Sequence, residues 1–168
     1  FQSYRKYRMS RPAPWRLDLS SYPKREVKQT RFQDLDTMGH LNNVAYAALF
    51  EDARVRMNQQ LGRVNRGKMA EGSFRAVVAR NEINYLAEGS FPEDVEIGLG
   101  IGRIGNRSFE MLAAAFQSGA CIATCDTTIV MTDPKGESLP ADFVERLKAV
   151  QVKAALSLIH ISEPTRPY

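Results

Sequence analysis

Apolar residues alternate with polar residues or glycines along three segments in the second half of the chain. These segments are residues 75–86, 95–101 and 121–131, and turn-forming residues separate them. A period of two with such punctuation predicts the strands of an antiparallel sheet joined by hairpins. Residues 109–117 contain a helix-favouring stretch, but their neighbours favour strand, and we predict a strand there as well. A weaker alternation predicts an earlier strand at residues 25–33.

Two helices are predicted, one before the three alternating segments and one after them. The longer helix covers residues 43–61, where Asn42 or Asn43 can cap its first turn and Gly62 can end it in a left-handed conformation. Its first half is apolar on nearly every side, which is typical of a buried helix, and we expect the sheet to wrap around it. The shorter helix should begin at Pro140.

The glycines of the second alternating segment need a separate interpretation. Gly100, Gly102 and Gly105 match the G-x-G-x-x-G pattern of dinucleotide-binding proteins, and Asp126 follows at nearly the expected distance. That fold requires further β-α units, and too few residues follow for them. We therefore interpret the glycines at 98–102 as one small-residue face of a strand, which would let the sheet approach the long helix. Gly105 and Asn106 would form a hairpin turn.

The two ends of the chain alter what its charge implies. Residues 156–166 read LSLIHISEPTR, which resembles translated sequencing-adapter sequence, and we expect residues 156–168 to be a tail outside the fold. Residues 1–8 precede Met9 and are expected to be an extension, so the domain would cover residues 9–155. The formal net charge is +4, and leaving out the three basic residues at positions 1–8 reduces it to +1. The basic excess therefore gives no reason to expect a nucleic-acid partner.

The cysteines and the hydropathy pattern bear on the compartment. Cys121 and Cys125 are four residues apart on one predicted strand, which would place them on the same face about 13 Å apart. A disulfide needs its Cα atoms within about 7 Å, so we expect two reduced thiols, which suit the cytoplasm. The sequence has no apolar run of about 18 residues and no apolar segment near its start. We therefore expect neither a membrane span nor a signal peptide.

The strongest chemical signal is the string DLDTMGHLNN at residues 34–43, directly before the long helix. A carboxylate in this position can act as a general base or a nucleophile. The unpaired N–H groups and the positive dipole end of the helix can stabilise negative charge on an oxygen. Asp34 and Asp36 could instead be turn residues that accept hydrogen bonds from their own backbone. We interpret Asp36 as catalytic and Asp34 as structural.

Hotdog-fold thioesterases carry a similar string at the start of their central helix. The similarity includes Asp36, Gly39, His40, Leu41, Asn42, Asn43, Tyr46, Glu51 and Arg54. From about residue 24 to residue 140 the chain resembles the 4-hydroxybenzoyl-CoA thioesterase group and the related acyl-CoA and acyl-carrier-protein thioesterases. The resemblance implies an α+β hotdog fold, with an antiparallel sheet of about five strands around a long central helix. It also implies thioester hydrolysis without a cofactor, in a homodimer or homotetramer with active sites at the subunit interface.

The resemblance also suggests roles for individual residues. In the plant acyl-carrier-protein thioesterases the corresponding aspartate and histidine both belong to the active site, although that group has an Asn where this chain has Met38. His40 could orient Asp36, bond the substrate carbonyl or hold the turn. Asn43 could point its backbone N–H at the thioester oxygen, or serve as an ordinary cap.

Further residues are expected around the substrate. Gly39 and Tyr46 would contact it, and Arg63, Arg66 and Lys68 form a basic loop that could bind CoA phosphates. The alternative for these three is a solvated charged loop.

The remaining charged residues and the rival functions complete the prediction. Glu51 is expected to form a salt bridge with Arg54 or Arg80. One histidine in the domain, with no second ligand at suitable spacing, gives no reason to expect a metal site.

The substrate would be an acyl-CoA or an acyl-carrier protein. The rival functions are a hotdog hydratase or dehydratase, and a hotdog domain that binds acyl groups without turnover.

Overall fold

The computed structural model describes residues 11–65, 68–69, 74–133 and 138–154. The predictions for residues 1–8 and 156–168 lie outside these ranges. Three short 3₁₀ helices in the described chain are Pro14–Leu17, Leu19–Ser21 and Phe32–Asp34. The other elements are, in chain order, β1 (Lys24–Lys28), α1 (Asn43–Gln60), β2 (Val64–Asn65), β3 (Lys68–Met69), β4 (Ala76–Tyr85), β5 (Val95–Ile104), β6 (Ser108–Gln117), β7 (Ala120–Met131) and α2 (Ala141–Ala149).

A five-stranded antiparallel sheet with the order β1-β5-β6-β7-β4 carries α1 on one face. The apolar side of α1 packs against the alternate residues of the central strands in one continuous core. On β5 these residues are Val95, Ile97, Leu99 and Ile101. One long helix held against a five-stranded sheet is the α+β hotdog architecture that the resemblance implied.

Most of the predicted strands are confirmed, with one change at the start. The first strand ends at Lys28 rather than at residue 33, and Phe32–Asp34 form a 3₁₀ helix instead. The Asp34 carboxylate accepts the Arg31 N–H there at 2.9 Å, a local bond that competes with strand pairing. The predicted hairpin turn is also confirmed, since the Gly105 N–H donates to the Ser108 carbonyl oxygen at 2.7 Å. The β2–β3 ribbon has no counterpart among the predicted strands.

The boundaries of α1 agree with the capping prediction, but its burial does not. The Asn42 side chain accepts the Ala45 N–H at 2.8 Å, and Gly62 has a left-handed φ of 74°. One side of the helix is buried as expected. On the opposite side Val44 is 78% exposed, and Ala48 is exposed as well. The sheet therefore covers one side of the helix in the single chain, and the other side, which the apolar pattern predicted to be buried, is exposed.

The glycines of β5 face away from α1, toward what we call the outer face of the sheet. A Cβ on Gly98 would lie 2.7 Å from the Tyr22 ring, and one on Gly100 would lie 2.5 Å from Val152 Cγ1 and 2.9 Å from Pro23 Cδ. The glycines therefore make room for the segments before β1 and after α2. The prediction that they bring the sheet close to the helix is wrong, because the apolar residues of β5 occupy that side.

The segment before β1 crosses the outer face and is anchored by a buried arginine. The Arg16 guanidinium donates to the Ala113 carbonyl oxygen at 3.0 Å and to the Tyr22 hydroxyl oxygen at 2.9 Å, and it pairs with Asp126 at 2.6 Å. The Tyr22 hydroxyl donates in turn to the Arg16 carbonyl oxygen at 2.9 Å. Burial raises the pKa of Tyr22 to about 12. This closed set of bonds satisfies a charge that would otherwise be costly to bury.

The two cysteines lie on opposite faces of β7. A register shift between Ala115 and Phe116 leaves Ile122 as an extra residue of β7, and such a bulge reverses the alternation. Cys125 lies in the core beneath α1, whereas Cys121 packs against the outer-face cluster. The prediction of a shared face is therefore wrong. Both cysteines are free, and burial raises the pKa of both thiols.

Candidate active site

The turn before α1 is closed by a buried carboxylate. Asp34 is 4% exposed and accepts hydrogen bonds from the Arg31 backbone at 2.9 Å and from its guanidinium at 2.8 Å. These bonds lower the pKa of Asp34. The Asp34 carbonyl oxygen accepts the Asn42 N–H at 2.8 Å. Asp34 therefore joins the two ends of the turn, which is a structural role.

Asp36 lies inside this turn with an exposed side chain. Its Oδ1 accepts the Met38 N–H at 2.8 Å and the His40 N–H at 3.1 Å. Gly39 completes the turn with a left-handed φ of 80°. All the hydrogen bonds of the Asp36 carboxylate to the described residues fall on Oδ1. The local bonding that a structural role requires thus fixes the carboxylate and leaves Oδ2 available to a substrate or a water.

The first turn of α1, which follows this turn along the chain, supplies hydrogen-bond donors. The Ala45 N–H is satisfied by the Asn42 side chain, and the Tyr46 N–H donates to the Asn42 carbonyl oxygen at 3.3 Å. The N–H groups of Asn43 and Val44 donate to no group within the described ranges. Unpaired N–H groups at a helix start carry partial positive charge, so this position can bind an oxygen that becomes negative.

His40 contacts a residue for which the sequence carried no signal. Its Nε2 lies 3.1 Å from Glu88 Oε2, and the Leu41 N–H donates to the Gly89 carbonyl oxygen at 2.9 Å. Glu88 belongs to the loop between β4 and β5, which has no recognisable motif. Because the two residues are far apart in the chain, sequence spacing could not have paired them.

Tyr46, in the first turn of α1, packs against β4 and the loop that follows it. Its ring is buried and packs edge-on against Tyr85, with ring centroids 5.3 Å apart. The Tyr46 hydroxyl lies 3.5 Å from the Ala87 carbonyl oxygen, at the limit of a hydrogen bond. Burial raises the pKa of Tyr46, so the hydroxyl stays protonated at neutral pH.

Arg63, the described residue of the predicted basic loop, does not join this cluster. Arg63 is only 5% exposed, and its guanidinium lies 4.8 Å from the Phe74 ring centroid and 6.0 Å from that of Phe109. It follows the far end of α1, about 27 Å from the first turn at 1.5 Å per residue. Burial lowers the pKa of Arg63. The expectation of an exposed loop is wrong for Arg63, while Arg66 and the Lys68 side chain lie outside the described residues.

The other charged residues of the motif form surface pairs. Glu51 pairs with Arg54 at 3.5 Å, one of the two partners predicted for it, whereas Arg80 pairs with Glu82. Among the described side chains, no group of three or more His, Cys, Asp or Glu is placed to hold a metal ion. None of the described helices has the length and apolar character needed to cross a membrane.

Comparisons with known proteins agree with this fold. The model of the Thioesterase-like superfamily matches residues 30–151, and the chain belongs to this superfamily. No curated protein matches the chain.

Solved structures with the same fold come from several bacteria. A protein of Pseudomonas aeruginosa is 27% identical, over 80% of this chain and 95% of that chain, with a TM-score of 0.67. A thioesterase of Thermus thermophilus, solved with coenzyme A and zinc, is 28% identical over 78% and 96% of the two chains, with a TM-score of 0.67. A thioesterase superfamily member from a Jannaschia species, at 23% identity over 75% and 81% with a TM-score of 0.64, shares the fold. Superfamily and neighbours support thioester hydrolysis as the class of reaction.

Proposed function

We propose that the protein is an acyl-CoA thioesterase of the 4-hydroxybenzoyl-CoA thioesterase type, with Asp36 as general base or nucleophile. One observation carries the proposal. A carboxylate with its Oδ1 fixed by two backbone N–H groups lies in the turn that leads into a helix whose first N–H groups have no partner in the described chain. A negatively charged attacking group and donors for a developing oxyanion are the two requirements of thioester cleavage.

The reaction can follow either of two routes from this arrangement. In both, the thioester carbonyl oxygen would accept hydrogen bonds from the N–H groups of Asn43 and Val44. As a general base, Asp36 would take a proton from a water whose oxygen bonds to the carbonyl carbon, and the C–S bond would then break. As a nucleophile, Oδ2 would bond to that carbon and release the thiolate, and water would hydrolyse the resulting anhydride.

His40 would meet the substrate through one ring nitrogen. Because Nε2 is engaged by Glu88 at 3.1 Å, Nδ1 is the nitrogen left to contact the reacting group. A neutral ring that donates its Nε2 proton to Glu88 carries a lone pair on Nδ1. Glu88 would therefore fix both the orientation and the tautomer of His40, and Gly39 and Tyr46 would shape the surroundings.

Coenzyme A is the proposed carrier of the acyl group. The support is the Thermus thermophilus thioesterase, which was solved with coenzyme A and covers most of this chain. An acyl-carrier protein is the alternative carrier. Arg66 and Lys68 remain candidates for contacts with the CoA phosphates.

The active form would be a homodimer or homotetramer built on the open edge of the sheet. β4 is a ten-residue edge strand, and long open edges are usually paired or covered. Exposed valines lie on this strand and on the uncovered side of α1, namely Val44, Val55, Val77 and Val78. A second copy that pairs with β4 would cover them and bring its own helix beside α1.

Replacing Asp36 with asparagine tests the function directly. Asp36→Asn keeps the size and the Oδ1 acceptor but removes the charge needed for attack or proton abstraction. We expect kcat to fall about 10²- to 10⁴-fold, measured by thiol release over a panel of acyl-CoAs. The matched control is Asp18→Asn, because Asp18 also accepts its turn N–H, from Ser20, at 2.9 Å but lies outside the site.

Three results would count against the assignment. Near-wild-type hydrolysis by Asp36→Asn would remove Asp36 from the mechanism. A change in double-bond absorbance without thiol release would indicate a hydratase or dehydratase, and binding without either would indicate an acyl-binding domain. Single turnover in ¹⁸O-water then separates the two routes, because a nucleophilic Asp36 gains solvent oxygen and a base does not.

A further inference from the structure

The loop between β4 and β5, residues 86–94, carries Glu88 to His40. Its approach to α1 depends on a residue without a side chain. A Cβ on Gly89 would lie 2.6 Å from Leu41 Cδ1 and 2.8 Å from the Tyr46 hydroxyl oxygen. Any larger residue would therefore force either the loop or these two side chains to shift.

The other side of this loop is held by one buried side chain. Gln117, at the end of β6, is 7% exposed. Its Oε1 accepts the Ser90 N–H at 2.8 Å, and its Nε2 donates to the Ser90 carbonyl oxygen at 2.8 Å and to the Glu93 carbonyl oxygen at 3.1 Å. The Thr30 hydroxyl donates to the same Glu93 oxygen at 3.0 Å. Both the oxygen and the nitrogen of the Gln117 side-chain amide are thus hydrogen-bonded to the backbone of the loop.

We propose that Gln117 is a positioning residue of the active site, which anchors the loop so that Glu88 stays in contact with His40. β6 lies in the middle of the sheet with a strand on each side, so its end is a rigid support. The anchor fixes Ser90, two residues from Glu88, and Gly89 between them bonds the Leu41 N–H at 2.9 Å. Glu88 itself is largely exposed. An exposed ion pair contributes little stability by itself, so the loop backbone must set the position of Glu88.

Gln117→Met tests this role because methionine keeps the volume and removes all three hydrogen bonds. For activity, the test rests on the proposed thioesterase function. We expect kcat to fall between about 10-fold and 10²-fold, because small displacements of reacting groups reduce the rate by such factors. KM should be nearly unchanged. Thr124→Val is the control, since Thr124 is also a buried polar residue of the sheet but lies on β7. It should leave kcat and KM unchanged.

Two further readouts do not depend on the reaction. In the wild type, ¹⁵N spectra of His40, assigned by the signal lost in His40→Gln, should show the proton on Nε2. Gln117→Met and the reference variant Glu88→Gln should both give a mixture of tautomers. Exchange of the Leu41 amide hydrogen should quicken in Gln117→Met, while amides in the centre of the sheet keep their rates.

These readouts separate failure of the loop role from failure of the function. A folded Gln117→Met with an unchanged His40 spectrum and unchanged Leu41 exchange would overturn the proposal, whatever the activity. A wild type without thioesterase activity would overturn the function, and the spectra would still decide the role of Gln117. If Gln117→Met does not fold, Thr30→Val removes only the second bond to Glu93 and should shift both readouts in the same direction by a smaller amount. No shift in that variant would overturn the proposal.

Discussion

At the scale of single residues, Asp34 links the chemistry of the turn to the stability of the fold. Its carboxylate is buried and bonded to Arg31, and this bonding lowers the pKa of Asp34. In the unfolded chain the pKa of an aspartate is about 3.9. A group with a lower pKa in the folded state stabilises that state above its unfolded pKa. The contribution is lost as the pH falls through the folded pKa.

Asp34→Asn should therefore lower stability in a pH-dependent way. At neutral pH we expect a loss of about 1–3 kcal/mol, because a buried hydrogen-bonded charge is replaced by a weaker acceptor. The difference in Tm between the variant and the wild type should narrow as the pH falls below about 4. In that range the pH passes through the lowered pKa of the folded wild type, and the Asp34 carboxylate loses its charge. Thermal unfolding followed by circular dichroism over this range measures it. Parallel Tm curves for the two proteins would contradict the assigned role.

Residues whose partners are close in sequence were predictable, and residues whose partners are distant were not. Asn42 accepts an N–H three residues later in the helix that it caps. Asp36 accepts N–H groups of its own turn, so local patterns identified both residues. Glu88 and Gln117 act across the fold, and no spacing rule connects them to His40. Arg63 was misassigned because a charged residue after a helix is usually solvated, whereas here two aromatic rings cover the guanidinium.

At the scale of elements, β5 shows that alternation predicts a strand but not what lies on each face. The alternation correctly predicted that this segment is a strand. Its glycines were assigned to the wrong neighbour, because the segments that cross the outer face come from before β1 and from after α2. A strand with a layer on each side has no face that tolerates added volume.

Gly100→Ala should consequently destabilise the fold. The new Cβ would meet Val152 at 2.5 Å and the Pro23 ring at 2.9 Å, and neither is the flexible end of a long side chain. Overpacking of this kind costs about 1–3 kcal/mol, which urea unfolding can measure. Glu96→Ala on the same strand, where the side chain is exposed, should change stability by less than about 0.5 kcal/mol. Equal stability of the two variants would show that the segments on the outer face accommodate the added methyl group without loss of stability.

At the scale of the whole molecule, the single chain leaves apolar surface uncovered on one side. The expectation of a wrapped helix came from a sequence in which nearly every position of the first half of α1 is apolar. One five-stranded sheet covers only half of such a helix. The other half needs a different surface, and a sequence pattern does not distinguish a surface of the same chain from that of another.

The two edge strands offer a matched test of the proposed assembly. Val78 on β4 is 45% exposed and Val27 on β1 is 61% exposed. If a second copy pairs with β4, Val78→Asp should produce monomers at micromolar concentration and reduce activity, because a buried unpaired charge at an interface is strongly unfavourable. Val27→Asp should keep the assembly of the wild type. Light scattering measures both, and a monomeric wild type would remove the proposal.

The arginine anchor on the outer face has a consequence for the order of events on the ribosome. Arg16 precedes its carbonyl partner Ala113 by 97 residues, and Asp126 is translated later still. The segment around Arg16 is thus translated well before its partners, and β5, β6 and β7 must pair before it can bind. Trp15, Tyr22 and Phe116 pack in one cluster on the outer face. Until the strands have paired, these apolar side chains remain exposed. A partially synthesised chain would be exposed to aggregation until β7 has been translated.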